Sequence, residues 1–131
     1  MRILIADSDS SQLKAYRDMT TELFGFLQKA VGELNIQYCI SGSEMSSLLK
    51  ANTYDLTIMD RALTGIPGDT IITLNRPKLG KIIVCSAFTQ TNEVCISKPI
   101  DYDKLKKTIK EVCNVPDIST DKTISEYEVI R

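Results

Sequence analysis

Reactive side chains stand at the ends of short apolar runs in this chain. RILIA at 2–6 leads into Asp7, with Asp9 two places on. YDLTIM at 54–59 leads into Asp60, KIIVC at 81–85 into Ser86, and VCIS at 94–97 into Lys98. If those runs are parallel strands, their ends share one edge of a sheet, and three carboxylates, a hydroxyl and an ammonium meet there. Crowded carboxylates repel unless a cation sits among them, and Mg²⁺ suits a site of a few carboxylates completed by water and phosphate oxygens. A carboxylate can also attack phosphorus to form an acyl phosphate. A hydroxyl and an ammonium can then hold the phosphoryl oxygens as charge spreads over them. The sequence contains no His. That excludes Ser-His-Asp and Cys-His catalysis, His-liganded metals and a His phosphocarrier.

The elements that must position these residues follow from periodicity. The run at 2–6 is a buried strand. Ser8 to Ser11 offer N-caps, and Leu13, Tyr16, Thr20, Leu23, Leu27, Ala30 and Leu34 repeat at steps of three and four. This stripe predicts one helix over about 10–33, roughly 35 Å long against about 17 Å for a five-residue strand. Such a helix overhangs its sheet unless Gly25 or Gly32 breaks it. Ile36–Ile40 is a second strand. Ser41 to Glu44 has capping-box spacing and starts a helix to about Ala51. Tyr54–Asp60 is the third strand. Asp69 caps a short helix to about Leu74, and 76–80 form a turn. Lys81–Cys85 and Val94–Ser97 are strands four and five. Asp101 caps a last helix that turns Leu105, Ile109 and Val112 inward and carries lysines toward its C-terminus, as the helix dipole favours. Strand-helix alternation predicts a parallel sheet with helices on both faces and a site at the strands' carboxyl ends.

With 131 residues the chain is long enough for one ordinary domain. A composition of 43% hydrophobic and 25% charged residues is that of a globular protein. No apolar run is long enough to span a membrane, and MRILIAD is too short for a signal peptide. Cys39, Cys85, Cys95 and Cys113 form no CxxC pair and read as free thiols of a cytoplasmic protein. Residues 70–110 carry 8 basic and 3 acidic groups. Lys104, Lys106, Lys107 and Lys110 account for much of that excess as one solvated helix face, so nucleic acid is not an expected partner.

IADSD at 5–9, MDRALTGIPGD at 59–69, CSA at 85–87 and SKP at 97–99 resemble the receiver domain of two-component response regulators over about residues 2–112. The resemblance implies a flavodoxin-like (CheY-like) α/β fold, a five-stranded parallel sheet of order 2-1-3-4-5 over 1–113, with 114–131 as a C-terminal extension. It implies that Asp60 is the phosphoacceptor and Ser86 the residue that senses the phosphoryl group. Lys98 is then the lysine paired with the acceptor, before a Lys98-Pro99 bond that is often cis in the family. Mg²⁺ would be held by Asp7, Asp60 and the backbone carbonyl of Ala62, with Asp9 acting through water. The implied partners are a sensor histidine kinase or phosphotransfer protein and an output protein. The chain is then a phosphoacceptor and not a turnover enzyme.

Several positions depart from the family pattern. The second acidic position is Ser8, the switch aromatic is Cys95, and Thr64 stands where the loop after the acceptor usually has Pro. Only 11 residues, 87–97, separate Ser86 from Lys98. A crossover with a helix needs more, so the family's fourth helix should be absent or reduced to a turn, with 86–93 returning as a loop of up to roughly 26 Å. A Lys98–Asp60 contact then requires a parallel fifth strand. With that helix gone, the partner face should lie on the extended first helix (where a homodimer is one option), the last helix or the tail. Two other readings stand beside the phosphoacceptor. One is a pseudo-receiver binding module, favoured by Ser8, Cys95 and the missing helix. The other is a haloacid-dehalogenase-type phosphatase with Asp7 as nucleophile, which leaves Asp60 without a role.

Overall fold

The computed structural model describes residues 1–115. Residues 116–131, most of the expected C-terminal extension, lie outside them. The elements run β1 Arg2–Ala6, α1 Ser10–Asp18, α2 Thr20–Val31, β2 Asn35–Cys39, α3 Gly42–Ala51, β3 Leu56–Met59, α4 Gly68–Leu79, β4 Lys81–Ser86, β5 Val94–Ser97 and α5 Tyr102–Val112. The five strands form one sheet in the order β2-β1-β3-β4-β5, and every neighbouring pair is parallel. This is the architecture and strand order expected from the sequence.

Alternation along the strands divides the interior in two. Ile3, Ile5, Ile58, Ile83, Cys85 and Ile96 face α1, α2 and α5. Leu4, Ala6, Met59, Ile82 and Val84 face α3 and α4. Both faces are covered, so β1, β3 and β4 are apolar almost throughout, as buried parallel strands require. Asp101 caps α5 by accepting from the N–H groups of Asp103 and Lys104, and Leu105 and Ile109 are fully buried beneath it.

The expected single first helix is two. The break falls at Met19 (φ −97°, ψ 12°), not at Gly25, while Gly32 ends the second piece. The Thr20 hydroxyl donates to the carbonyls of Arg17 and Tyr16, a back-bond that bends helices. The bend lays α2 along α5. Leu23, Phe24, Phe26 and Leu27 are buried there, and the Lys110 ammonium lies 5.2 Å from the centre of the Phe26 ring. Of the residues at the far end of the stripe, where a partner face was expected, Phe26 is buried and Leu34 half-buried, while Ala30 and Val31 are exposed.

The expected turn at 76–80 is also corrected. Helix α4 kinks at Asn75 (φ −129°) and resumes through Pro77 to Leu79. Proline removes an N–H and crowds the carbonyl four residues back, so a kink just before it is the expected accommodation. Pro67, not Asp69, is the N-cap of α4. Between β4 and β5 there is no helix. The return is made by residues 87–93, and β5 is parallel to β4, with Ser86 opposite Ser97.

Gly42 packs where β2 and α3 meet the loop after β3. A Cβ there would lie 1.8 Å from the Ile66 carbonyl oxygen, a backbone atom that cannot swing aside. We expect Gly42→Ala to cost at least the 1–3 kcal/mol typical of overpacking, about that range or above. It would be read as a lower urea midpoint at unchanged m-value; an unchanged midpoint would contradict the close approach.

Candidate functional site

The sheet's hydrogen-bond ladder continues one residue past three strands, which places the site. The Asp7 N–H donates to the Cys39 carbonyl, that of Asp60 to Ala6, and that of Lys98 to Ser86. Asp7, Asp60, Ser86 and Lys98 are thus carried on sheet geometry and not on free loops. Asp7 and Ser86 are almost fully buried, and Asp60 is 8% exposed.

Lys98 joins the two carboxylates. Its Nζ lies 2.6 Å from Asp7 Oδ2 and 2.5 Å from Asp60 Oδ2. The other carboxylate oxygens accept backbone N–H groups, Asp7 Oδ1 from Asp9 and Asp60 Oδ1 from Ala62, both at 2.9 Å. All four oxygens are therefore hydrogen-bonded. Burial pushes the Asp7 carboxyl above the ordinary aspartate value, partly opposed by Lys98 and the Asp9 N–H and reinforced by Asp60. For Lys98, burial disfavours the charge, but the bonds to Asp60 and Asp7 outweigh it and raise the pKa.

Asp9 does not join them. It caps α1, its Oδ1 accepting from the N–H groups of Ser11 and Gln12. The expected gathering of three carboxylates is therefore one of two. Among the described residues no three acidic, Cys or His side chains converge as a metal cage. Mg²⁺ commonly uses one or two carboxylates and completes its shell with water and phosphate oxygens. Asp7 and Asp60, sharing one cation at the sheet edge, meet that minimum. They are the side chains that would hold the metal, with the Ala62 carbonyl as a third oxygen.

Ser86 Oγ accepts from the Phe88 N–H at 3.1 Å, and the Lys98-Pro99 bond is cis. Cys95, at the position of the expected switch aromatic, is half-buried and packs against the apolar layer that faces α3 and α4. Three participants were not anticipated from sequence. Arg61 grips Asp69 with Nε and Nη2 and donates through Nη1 to the Phe88 carbonyl at 3.0 Å. Arg61, Ala87, Phe88, Thr89 and Gln90 line an open cavity of about 540 Å³ beside the start of the return from β4. Thr64 donates its N–H to Ser8 Oγ at 2.8 Å, and the two hydroxyls lie 3.3 Å apart. The signal for this last contact was present, since Ser8 and Thr64 are both departures from the same pattern.

Comparison with protein-family models and with curated proteins gives no match to this sequence. Solved structures do match. The receiver domain of the hybrid histidine kinase CckA is 27% identical with a TM-score of 0.59, covering 85% of this chain and 97% of that one. The signal receiver domain of a DNA-binding response regulator from Colwellia psychrerythraea is 24% identical with a TM-score of 0.62, covering 87% and 98%. That of an HD domain-containing protein from Pseudomonas fluorescens is 19% identical with a TM-score of 0.67, covering 86% and 94%. The chain has the receiver-domain fold. Within that receiver fold, the two buried carboxylates and Lys98 stand at the carboxyl edge of the sheet, where ligands of doubly wound folds bind. No helix among the described residues is long and apolar enough to cross a membrane.

The raised Asp7 pKa has a definite sign. Its folded value lies above its unfolded value, so ionised Asp7 costs stability at neutral pH and the folded state takes up the proton first as pH falls. We expect Asp7→Asn to melt above the wild type at pH 7, with the gap closing toward about pH 4 as the wild-type carboxyl protonates. Thermal melts of both proteins across that range check it; a variant that melts lower at pH 7 would contradict the sign.

Proposed function

We propose that this chain is a response-regulator receiver that accepts a phosphoryl group on Asp60. The observation that carries the reading is the Lys98 ammonium seated 2.5 Å from Asp60 Oδ2 on a parallel fifth strand. With no His of its own, the chain takes the group from a phosphohistidine on a histidine kinase or phosphotransfer protein. A neighbour in fold is itself the receiver domain of a hybrid histidine kinase.

In the transfer, an Asp60 carboxylate oxygen attacks phosphorus in line. The P–O bond to Asp60 forms as the P–N bond to the donor histidine breaks, and the electron pair returns to the imidazole. Asp60 ends as an acyl phosphate. The phosphoryl oxygens carry close to two negative charges, and Lys98 supplies one fixed positive charge against them. Asp7 and Asp60, with the Ala62 carbonyl, would hold Mg²⁺, which when bound supplies the remaining charge neutralisation. Ser86 can turn its hydroxyl from the Phe88 N–H toward the new oxygens. The chain thereby acts as a phosphoacceptor with output through protein contacts, in the cytoplasm.

A second reading, a binding module without regulated phosphorylation, is favoured by the neutral Ser8 and by Cys95 in place of a switch aromatic. Intact mass after incubation with a small-molecule phosphodonor and Mg²⁺ separates the two. We expect one phosphoryl adduct on the wild type and none on Asp60→Asn. Lys98→Met should form the adduct on the order of 100-fold more slowly, the scale for loss of one preorganised charge-stabilising group. An unmodified wild type at saturating donor would establish the second reading.

A further inference from the structure

Two positions that depart from the receiver pattern bond to each other. Ser8 lies just after β1 and Thr64 lies in the loop after β3, 56 residues apart in sequence. The Thr64 N–H donates to Ser8 Oγ at 2.8 Å, and the Ser8 and Thr64 hydroxyls are 3.3 Å apart. A proline at 64 would have no N–H to give. The Thr64 carbonyl in turn accepts from the Gly42 N–H at 2.8 Å, so the contact ties β1's loop, the acceptor's loop and the start of α3 into one unit. It sits directly beside Asp7 and within four residues of Asp60.

We propose that this hydroxyl clamp closes the site without a divalent cation while Lys98 offsets half of its negative charge, so that metal binds weakly and into loops already in place. A cation held by Asp7, Asp60 and the Ala62 carbonyl would join the β1 edge to the loop after β3. The clamp already makes that connection through neutral groups. The electrostatics point the same way. Ser8 contributes no charge, the Asp9 carboxylate is turned to the α1 N-terminus, and Lys98 contacts both remaining carboxylates. Two carboxylates against one ammonium leave a single net negative charge to attract Mg²⁺. Preordered loops favour metal binding, but the missing carboxylate removes a full charge from the site, and that loss dominates.

The inference concerns the same site as the proposed phosphotransfer, yet it does not depend on whether Asp60 is phosphorylated. Its test therefore uses no phosphodonor. Amide hydrogen exchange at Thr64 and Gly42, read by NMR on the full chain, should be equally slow in EDTA and in excess Mg²⁺. Ser8→Ala should speed exchange at Thr64 by roughly tenfold, the factor that corresponds to about 1.4 kcal/mol. In Mg²⁺ titrations followed by amide shifts, Ser8→Asp should bind the cation at least about tenfold tighter than the wild type, because the site then carries three carboxylates against one ammonium. Protection of the wild-type Thr64 amide only in the presence of Mg²⁺ would overturn the proposal. So would equal Mg²⁺ affinity in the wild type and Ser8→Asp. Should Ser8→Asp fail to fold, the wild-type exchange comparison decides alone.

Discussion

One ammonium between two buried carboxylates organises this molecule. Asp7 and Asp60 come from adjacent strands and would repel each other across the sheet edge if nothing lay between them. Lys98, brought in from β5, contacts both. Removing the shared ammonium would cost on the order of 3–5 kcal/mol, because two buried carboxylates are then left uncompensated. The arrangement is therefore both a structural closure and a site of concentrated, directed charge. The same lysine that quiets two carboxylates at rest is placed to meet a phosphoryl group on one of them.

Getting Lys98 there is the task of the rest of the fold. The chain has only residues 87–93 with which to return from β4 and begin a parallel β5. Two arginines on neighbouring elements hold that return. Arg61 bridges Asp69 and the Phe88 carbonyl, and Arg76 pairs with Glu93 through both amino groups. Exposed ion pairs of this kind contribute little to stability, about 0–1 kcal/mol each. Their importance is geometric, since bidentate arginine contacts fix direction as well as distance. They keep the loop against α4, where a crossover helix would otherwise have packed.

Much of this was legible in the residues alone, for identifiable reasons. Strand ends that terminate in Asp7, Asp60, Ser86 and Lys98 announce a common edge because parallel strands must align their termini. The short spacing before Lys98 excluded a helix on length alone. Other features were hidden. The break at Met19 arises from a threonine bonding back to carbonyls one turn earlier, which periodicity does not register, because the apolar stripe continues through it. The helical path through Pro77 depends on packing against β3 and β4. Asp9 had the composition of a metal ligand, but its distance from Asp7 along the chain made it the cap of α1 instead.

The sequence by itself determined the alternating strands and helices, the missing crossover helix and the side chains assembled at the edge, because these follow from periodicity, chain length and the alternation of a parallel sheet; the order of the strands came from the resemblance to receiver domains. Only the tertiary structure decided how those side chains share their bonds. Lys98 spans two carboxylates and not one, Arg61 belongs to the loop at Phe88, and Ser8 and Thr64 meet across 56 residues. Such contacts depend on the orientation of loops whose ends the sheet holds a few ångströms apart, and no local pattern in the chain encodes that separation.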